Sequence, residues 1–257
     1  MLFTVATIVL AIITFFGCYE HAWGLRDIYY MKLDFSGISV DGISLASMTE
    51  EAGLYPIYQI GSNGYCYGTK SGNGSTSIKG CKTPMEPFWF DIVTFAESQS
   101  TVIASVLKYV DLPSEVTEYE SILKSASIAM WALWIATMGL SAIQIIIGFF
   151  AFRSRGASFA SAFVSVLSFL SSLVAAGIAT GIYSIYESKF NDYVKKYGVS
   201  ASIGSSGLGL AWATVAVCLI AGVSWILSIC VGSTSHRHER LPDYDDEKAF
   251  IRYVPEH

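Results

Sequence analysis

Charge is scarce in this chain. Asp, Glu, Lys and Arg make up 14% of its 257 residues, against roughly a quarter in soluble domains. Histidine is rarer still, at His21, His236, His238 and His257. His236-x-His238 has no further ligand beside it, so it reads as part of a solvated tail and not as a metal site. The sequence contains no Gly-x-Ser-x-Gly, no Gly-rich phosphate loop and no Cys-x-x-Cys. These absences remove the usual hydrolase, nucleotide and thiol-redox chemistries. A net charge of −5 with no basic patch argues against nucleic-acid binding. The expectation is a protein that is not an enzyme and holds no cofactor or metal.

Apolar residues are abundant, at 53%, and they are gathered into runs. A helix needs roughly 20 apolar residues to cross about 30 Å of hydrocarbon. Four stretches approach or meet that length: 1–19, 126–152, 159–186 and 207–231. Unpaired backbone amides are too costly in lipid, so each is expected to be a helix. The first is read as a retained helix. Met1-Leu2-Phe3-Thr4 lacks the basic start of a signal peptide, and no small-x-small cleavage site follows.

Basic residues orient the spans. The link 153–158 carries Arg153 and Arg155, and the tail 232–257 carries Arg237, Arg240, Lys248 and Arg252. The opposite short link, 187–206, has Lys189, Lys195 and Lys196, while Arg26 and Lys32 after the first span pull the other way. The excess places 153–158, the tail and both termini in the cytosol, with loops 20–125 and 187–206 outside. Asn73-Gly74-Ser75 is a glycosylation sequon on that outer side, so Asn73 is a candidate acceptor.

Cysteine usage agrees. Cys18, Cys218 and Cys230 lie in or beside apolar runs and read as small buried hydrophobes, whereas Cys66 and Cys81 are the pair in a polar loop. The segments Tyr29 to Val40, Leu54 to Ile60 and Tyr65 to Thr69 are rich in aromatic and β-branched residues, and Asn63-Gly64 signals a hairpin between the last two. Asn73-Gly74 is a second such signal. Cys66 and Cys81 each stand seven positions from its nearer residue. A two-residue turn there would set them opposite each other, at a Cα separation of about 4.5–5.5 Å, within the roughly 4.4–6.8 Å that a disulfide bridges. Closing such a loop is worth about 3 kcal/mol on the chain-entropy model. A Gly/Ser-rich loop, Ser71 to Ser77, tied only at its base is the alternative. Further on, Thr117 and Glu120 form a capping box for a helix that runs into the second span.

Several blocks in this loop are familiar together: Leu25-Arg-Asp-Ile-Tyr-Tyr-Met-Lys-Leu-Asp-Phe-Ser-Gly-Ile38, a Tyr-Gln-Ile-Gly segment ahead of Cys66, Gly80-Cys81 and Phe88-Trp89-Phe90-Asp91. With three further spans following, the chain resembles the fungal Sur-seven/PalI family of claudin-like tetraspan plasma-membrane proteins. Members often carry Trp three residues before the first loop cysteine, where this chain has Asn63. The resemblance implies a four-helix transmembrane bundle, all-α in the membrane, carrying a small disulfide-bonded, β-containing extracellular domain. It also implies a role in eisosome-type cortical domains, endocytosis or wall integrity. PalI-type relatives instead assist ambient-pH signalling by helping a receptor reach the surface, and look to carry long polar tails, against about 25 residues here.

Inside the spans no ionisable residue appears, and Gln144 is the most polar side chain at depth. That disfavours a transport pathway. In the third span Ser168, Ser172, Ala176, Thr180 and Ser184 recur every four residues, with Gly177 and Gly181 on the adjacent stripe. Small residues let helices approach closely, so this is a helix-packing face, used within the bundle or for self-association with lateral partners among the membrane lipids. Tyr19, Trp23, Trp131, Trp134, Tyr183 and Trp212 are expected near the outer interface. In the tail, Leu241-Pro242-Asp243-Tyr244 resembles the Pro-x-Tyr ligands of WW domains. Lys248, four residues on, is the lysine on the cytosolic side, so a WW-domain ubiquitin ligase is an expected partner and Lys248 its acceptor. Cys230 is a palmitoylation candidate.

Overall fold

A computed structural model of the chain describes residues 1–19, 24–37, 39–40, 43–44, 55–70, 75–83, 114–151, 155–194 and 198–231. Four helices carry it: α1 (Leu2–Phe15), α2 (Ser114–Ala151), α3 (Arg155–Val194) and α4 (Ser205–Val231). Three of them contain stretches long and apolar enough to cross a membrane, Ser121–Phe150, Gly156–Asp192 and Ser205–Ile229. α1 is shorter, yet it covers the same layer. A Cβ on Gly148 would meet both the Met1 side chain and the Trp225 ring, and the Phe15 ring lies 5.9 Å from that of Trp131. The 17 residues between Trp131 and Gly148 rise about 25 Å.

The bundle is apolar outside and polar inside. On α1, Thr4, Thr7, Ala11 and Thr14 are buried, while Val5, Val9 and Ile12 are exposed. On the other helices Thr137, Ser141, Gln144, Ser161, Ser165, Ser168, Ser172 and Thr214 are buried, whereas Ile146, Phe149, Phe159, Phe163 and Leu227 face outward. Lipid tails are as apolar as leucine, so nothing is gained by hiding leucine; small residues and hydroxyls at the seams gain close contact and hydrogen bonds. Each helix packs on the next and α1 closes against α4.

On one end of the bundle sits an antiparallel sheet of five strands in the order β6-β5-β4-β1-β7. Its members are β1 (Met31–Asp34), β4 (Ile57–Ile60), β5 (Tyr65–Lys70), β6 (Thr76–Lys82) and β7 (Ser200–Ile203), and a separate two-stranded hairpin pairs β2 (Ser39–Val40) with β3 (Ile43–Ser44). β7 comes from the link between α3 and α4 and pairs with β1, Leu33 opposite Ala201, so the two inter-helix segments on this end of the bundle build one domain. Met31, Leu33, Tyr58 and Ile60 share one hydrophobic core with Met130, Trp134, Tyr183 and Ala211 of the helices. The expected class, a membrane four-helix bundle under a small disulfide-bonded β domain, is the one found, and it matches a claudin-like fold.

Three expectations are refined. The Asn63-Gly64 connection joins β4 to β5 with Ile60 opposite Tyr65, closed by the Gly61 amide donating to the Gly64 carbonyl at 2.8 Å. In the next hairpin a bulge at Lys79 shifts the register, so Lys70 faces Thr76 instead of Ser77. Residues 71–74, the proposed turn, lie outside the described residues. The helix entering the second span begins at Ser114, ahead of Thr117 and Glu120, and continues unbroken through the membrane stretch.

Candidate functional site: a braced sheet seated on the helix bundle

The sheet is joined to the helices through contacts that few residue types would satisfy. Gly61 lies on the end of α1, where a Cβ would come within 2.7 Å of the Gly17 carbonyl and 3.1 Å of Cys18. Beside it, the Trp131 Nε1 of α2 donates to Asn63 Oδ1 at 3.0 Å. The start of α4 is fastened to the segment before β1. Gly204 and Gly207 amides donate to the Tyr30 and Tyr29 carbonyls at 2.8 and 3.2 Å, and the Ser206 hydroxyl donates to the Asp27 carbonyl at 2.7 Å. A Cβ on Gly204 would sit 2.0 Å from the Tyr29 oxygen, so only glycine allows this approach. Tyr30 then stacks on Tyr183 of α3, rings 5.2 Å apart and nearly parallel.

Cys66 and Cys81 form the disulfide, directly opposite in register, with Cα atoms 3.9 Å apart, closer than the general spacing of such pairs. The far edge of the sheet is closed too. Asn191 of α3 accepts from the Ala201 amide at 2.8 Å and donates to its carbonyl at 2.9 Å, which satisfies the outer side of edge strand β7. Polar contacts hold the other sheet face. Lys32 Nζ donates to Thr76 Oγ1 at 2.6 Å, and Lys70 pairs with Asp34 at 3.1 Å. Burial of the Asp34 carboxyl acts to raise its pKa. The Ser36 hydroxyl and amide and the Lys70 ammonium outweigh that and hold it below its ordinary value.

In the bundle the packing stripe divides. Ser168, Ser172 and Ala176 are buried, and Thr180 and Ser184 are half-buried. Gly177 and Gly181 face outward, and a Cβ added to either would meet nothing within 4 Å. The buried part meets α2: Ser168 and Ser141 hydroxyls lie 3.1 Å apart, Ser171 donates to the Leu133 carbonyl at 2.8 Å, and Gln144 Nε2 donates to the Ser161 carbonyl at 3.4 Å. Gln144 therefore bonds a neighbouring helix. Trp134 and Tyr183, expected at the interface, are buried under the sheet, because it covers that end of the bundle; Trp212 and Tyr19 are exposed. Asn191 and Ser141 were not singled out by the sequence, and Asn63 only as a turn residue and a departure from the family pattern, since their bonding roles depend on partners distant along the chain.

Asn73, Trp23, Leu241, Pro242, Tyr244 and Lys248 lie outside the described residues, as do His236 and His238. Among the described residues no three His, Cys, Asp or Glu side chains come together as metal ligands.

Comparison with known proteins matches this sequence to a family. Residues 1–224 fit the model of the SUR7/PalI family. Protein PUN1 of Saccharomyces cerevisiae is 26% identical over 239 residues, covering 87% of this chain and 88% of that protein. Since the family match covers most of its length, the chain belongs to the SUR7/PalI family.

Proposed function

We propose that this membrane protein is a non-enzymatic tetraspan organiser of plasma-membrane domains of the eisosome type, acting in membrane organisation, endocytosis or wall integrity. Both termini face the cytosol in this reading, and the sheet faces outside. The observation that carries it is the closure of the bundle. Most of the bonds among its buried polar side chains stay inside the bundle, as Ser141 with Ser168 and Trp225 with Thr4 at 3.3 Å, and the spans hold no charged side chain at depth. Such an interior supports a scaffold and offers little to a transported ion. Gly177 and Gly181 present a smooth outward strip to lipids and lateral partners. In the tail, the Leu241 to Tyr244 motif and Lys248 are proposed to recruit a WW-domain ubiquitin ligase that sets surface lifetime.

The test is surface imaging of a C-terminally tagged chain, with a glycosidase shift on the same sample. Stable cortical patches, and a shift abolished by Asn73→Gln, are expected. A diffuse or internal signal would favour the alternative, a PalI-like accessory that delivers a receptor for ambient-pH signalling. Loss of alkaline growth on deletion would add to that alternative.

A further inference from the structure

A third cysteine packs with the disulfide pair. Cys18 stands three residues past the end of α1, fully buried, and forms one cluster with Cys66 and Cys81. Its backbone is unusual: φ is +63°, which among the described residues no other non-glycine residue adopts on the positive side. That conformation costs a residue with a Cβ about 1 kcal/mol or more. Gly61 gives up its own Cβ where the Cys18 Cβ and Sγ approach to 3.1 Å. The thiol points between the Ile28 and Gln59 carbonyls, both at 3.5 Å, and Gln59 is the register partner of Cys66. Cys18, then, adopts a costly backbone conformation, with Gly61 leaving room beside it, that sets a free thiol beside the disulfide pair.

We propose that Cys18 is an exchange partner of the disulfide, able to take Cys66 from Cys81 and so link the end of α1 covalently to β5. The step balances within the chain. The Cys18 thiol loses its proton, and the thiolate attacks Sγ of Cys66. A Cys18–Cys66 bond forms as the Cys66–Cys81 bond breaks, and the electron pair leaves on Cys81, which takes up a proton. No oxidant or reductant is consumed. In the folded protein the Cys18 side chain is fully buried, so the reserve sulfur is shielded from solvent and from bases that would take its proton. Exchange belongs to moments when the Gly61–Gly64 turn lifts off α1, during folding or under load on the sheet. Its product frees the thiol of Cys81 on edge strand β6 and leaves the sheet tied to the membrane helix instead of braced within itself.

Two measurements on the full chain in membranes test this, both read by differential alkylation and peptide mass spectrometry. In Cys81→Ser, Cys66 is expected to be protected and recovered linked to Cys18, and in Cys18→Ser/Cys81→Ser it is expected to become fully alkylated. Free Cys66 in the single variant, or Cys66 linked only between chains, overturns the proposal. Because Cys81→Ser also removes a brace of the sheet, the second measurement uses the unsubstituted chain. Mild urea at alkaline pH without added thiol is followed by an acid quench and alkylation. Labelling is expected to move from Cys18 to Cys81, with Cys66 protected throughout. Labelling confined to Cys18 at every urea concentration short of unfolding also overturns it.

Discussion

The indole of Trp131 and the side-chain carbonyl of Asn63 meet at 3.0 Å, and this bond ties the second membrane helix to the turn between β4 and β5. The family resemblance leads one to expect an indole at position 63 itself. Here the indole stands on α2, and an amide at position 63 receives it. Asn63 is 9% exposed, so removing its carbonyl leaves a poorly hydrated indole N–H. The expected cost of Asn63→Ala is about 1–3 kcal/mol. Trp131→Phe removes the donor instead, and in the double variant the two losses should fall short of their sum by about 0.5 kcal/mol or more. Thermal unfolding of the four proteins in one detergent checks this. Strict additivity would mean that the bond contributes nothing.

Asp34 makes the sheet sensitive to acid. Its carboxyl is held below the ordinary value in the folded protein, so its ionised form stabilises the fold. That contribution is fully present above the unfolded carboxylate value, near 4. It is lost as pH falls through the lower folded value. Lys70, one of its partners, is 47% exposed, so the ion pair itself is worth less than about 1 kcal/mol. The stability difference between the natural chain and Asp34→Asn is expected to shrink as pH is lowered from about 5 to about 2. A difference that stays constant over that window would show that the carboxyl charge is not what matters at this position.

Cys66 and Cys81 were legible as a pair because they are the two cysteines of one polar loop. A regular ladder from Lys70 opposite Thr76 would set Cys66 against Gly80, and the bulge at Lys79 that brings Cys81 there was not legible. The long apolar runs were legible, since the membrane demands length. β7 was not: Ser200-Ala201-Ser202-Ile203 has little β character of its own, and its partner Met31–Asp34 lies far back in the chain. The division of the α3 stripe was legible only as periodicity. Ala176 and Gly177 are neighbours in sequence and both small, and nothing local says which one faces the bundle. Trp134 and Tyr183 carry the composition of an interfacial belt, but a sheet folded from both loops covers them.

The tail proposal makes a separate prediction about turnover. Tyr244→Ala removes the aromatic anchor of the Pro-x-Tyr motif, and Lys248→Arg removes the acceptor amine while keeping the charge. Each is expected to lengthen surface half-life after synthesis is blocked, and the double variant should last no longer than the better single one, since both act on one route. Unchanged half-life in the double variant would remove the ligase from the account.

Adjacent positions on α3 should respond oppositely to the same enlargement. Ala176 is fully buried in the core shared by helices and sheet, so Ala176→Leu adds methylenes where there is no space, at about 1–3 kcal/mol or more. A Cβ on Gly177 meets nothing within 4 Å, and leucine is the better helix former by roughly 0.8 kcal/mol. Gly177→Leu is therefore expected to leave the isolated chain as stable as before, or slightly more so, by thermal unfolding in detergent. Its effect should appear only between molecules, as lower cross-linking yield and looser cortical patches, because a leucine there holds a neighbouring helix away. If Gly177→Leu folds normally and clusters normally, lateral contact does not run through this strip, and the organiser reading must rest on another face of the bundle.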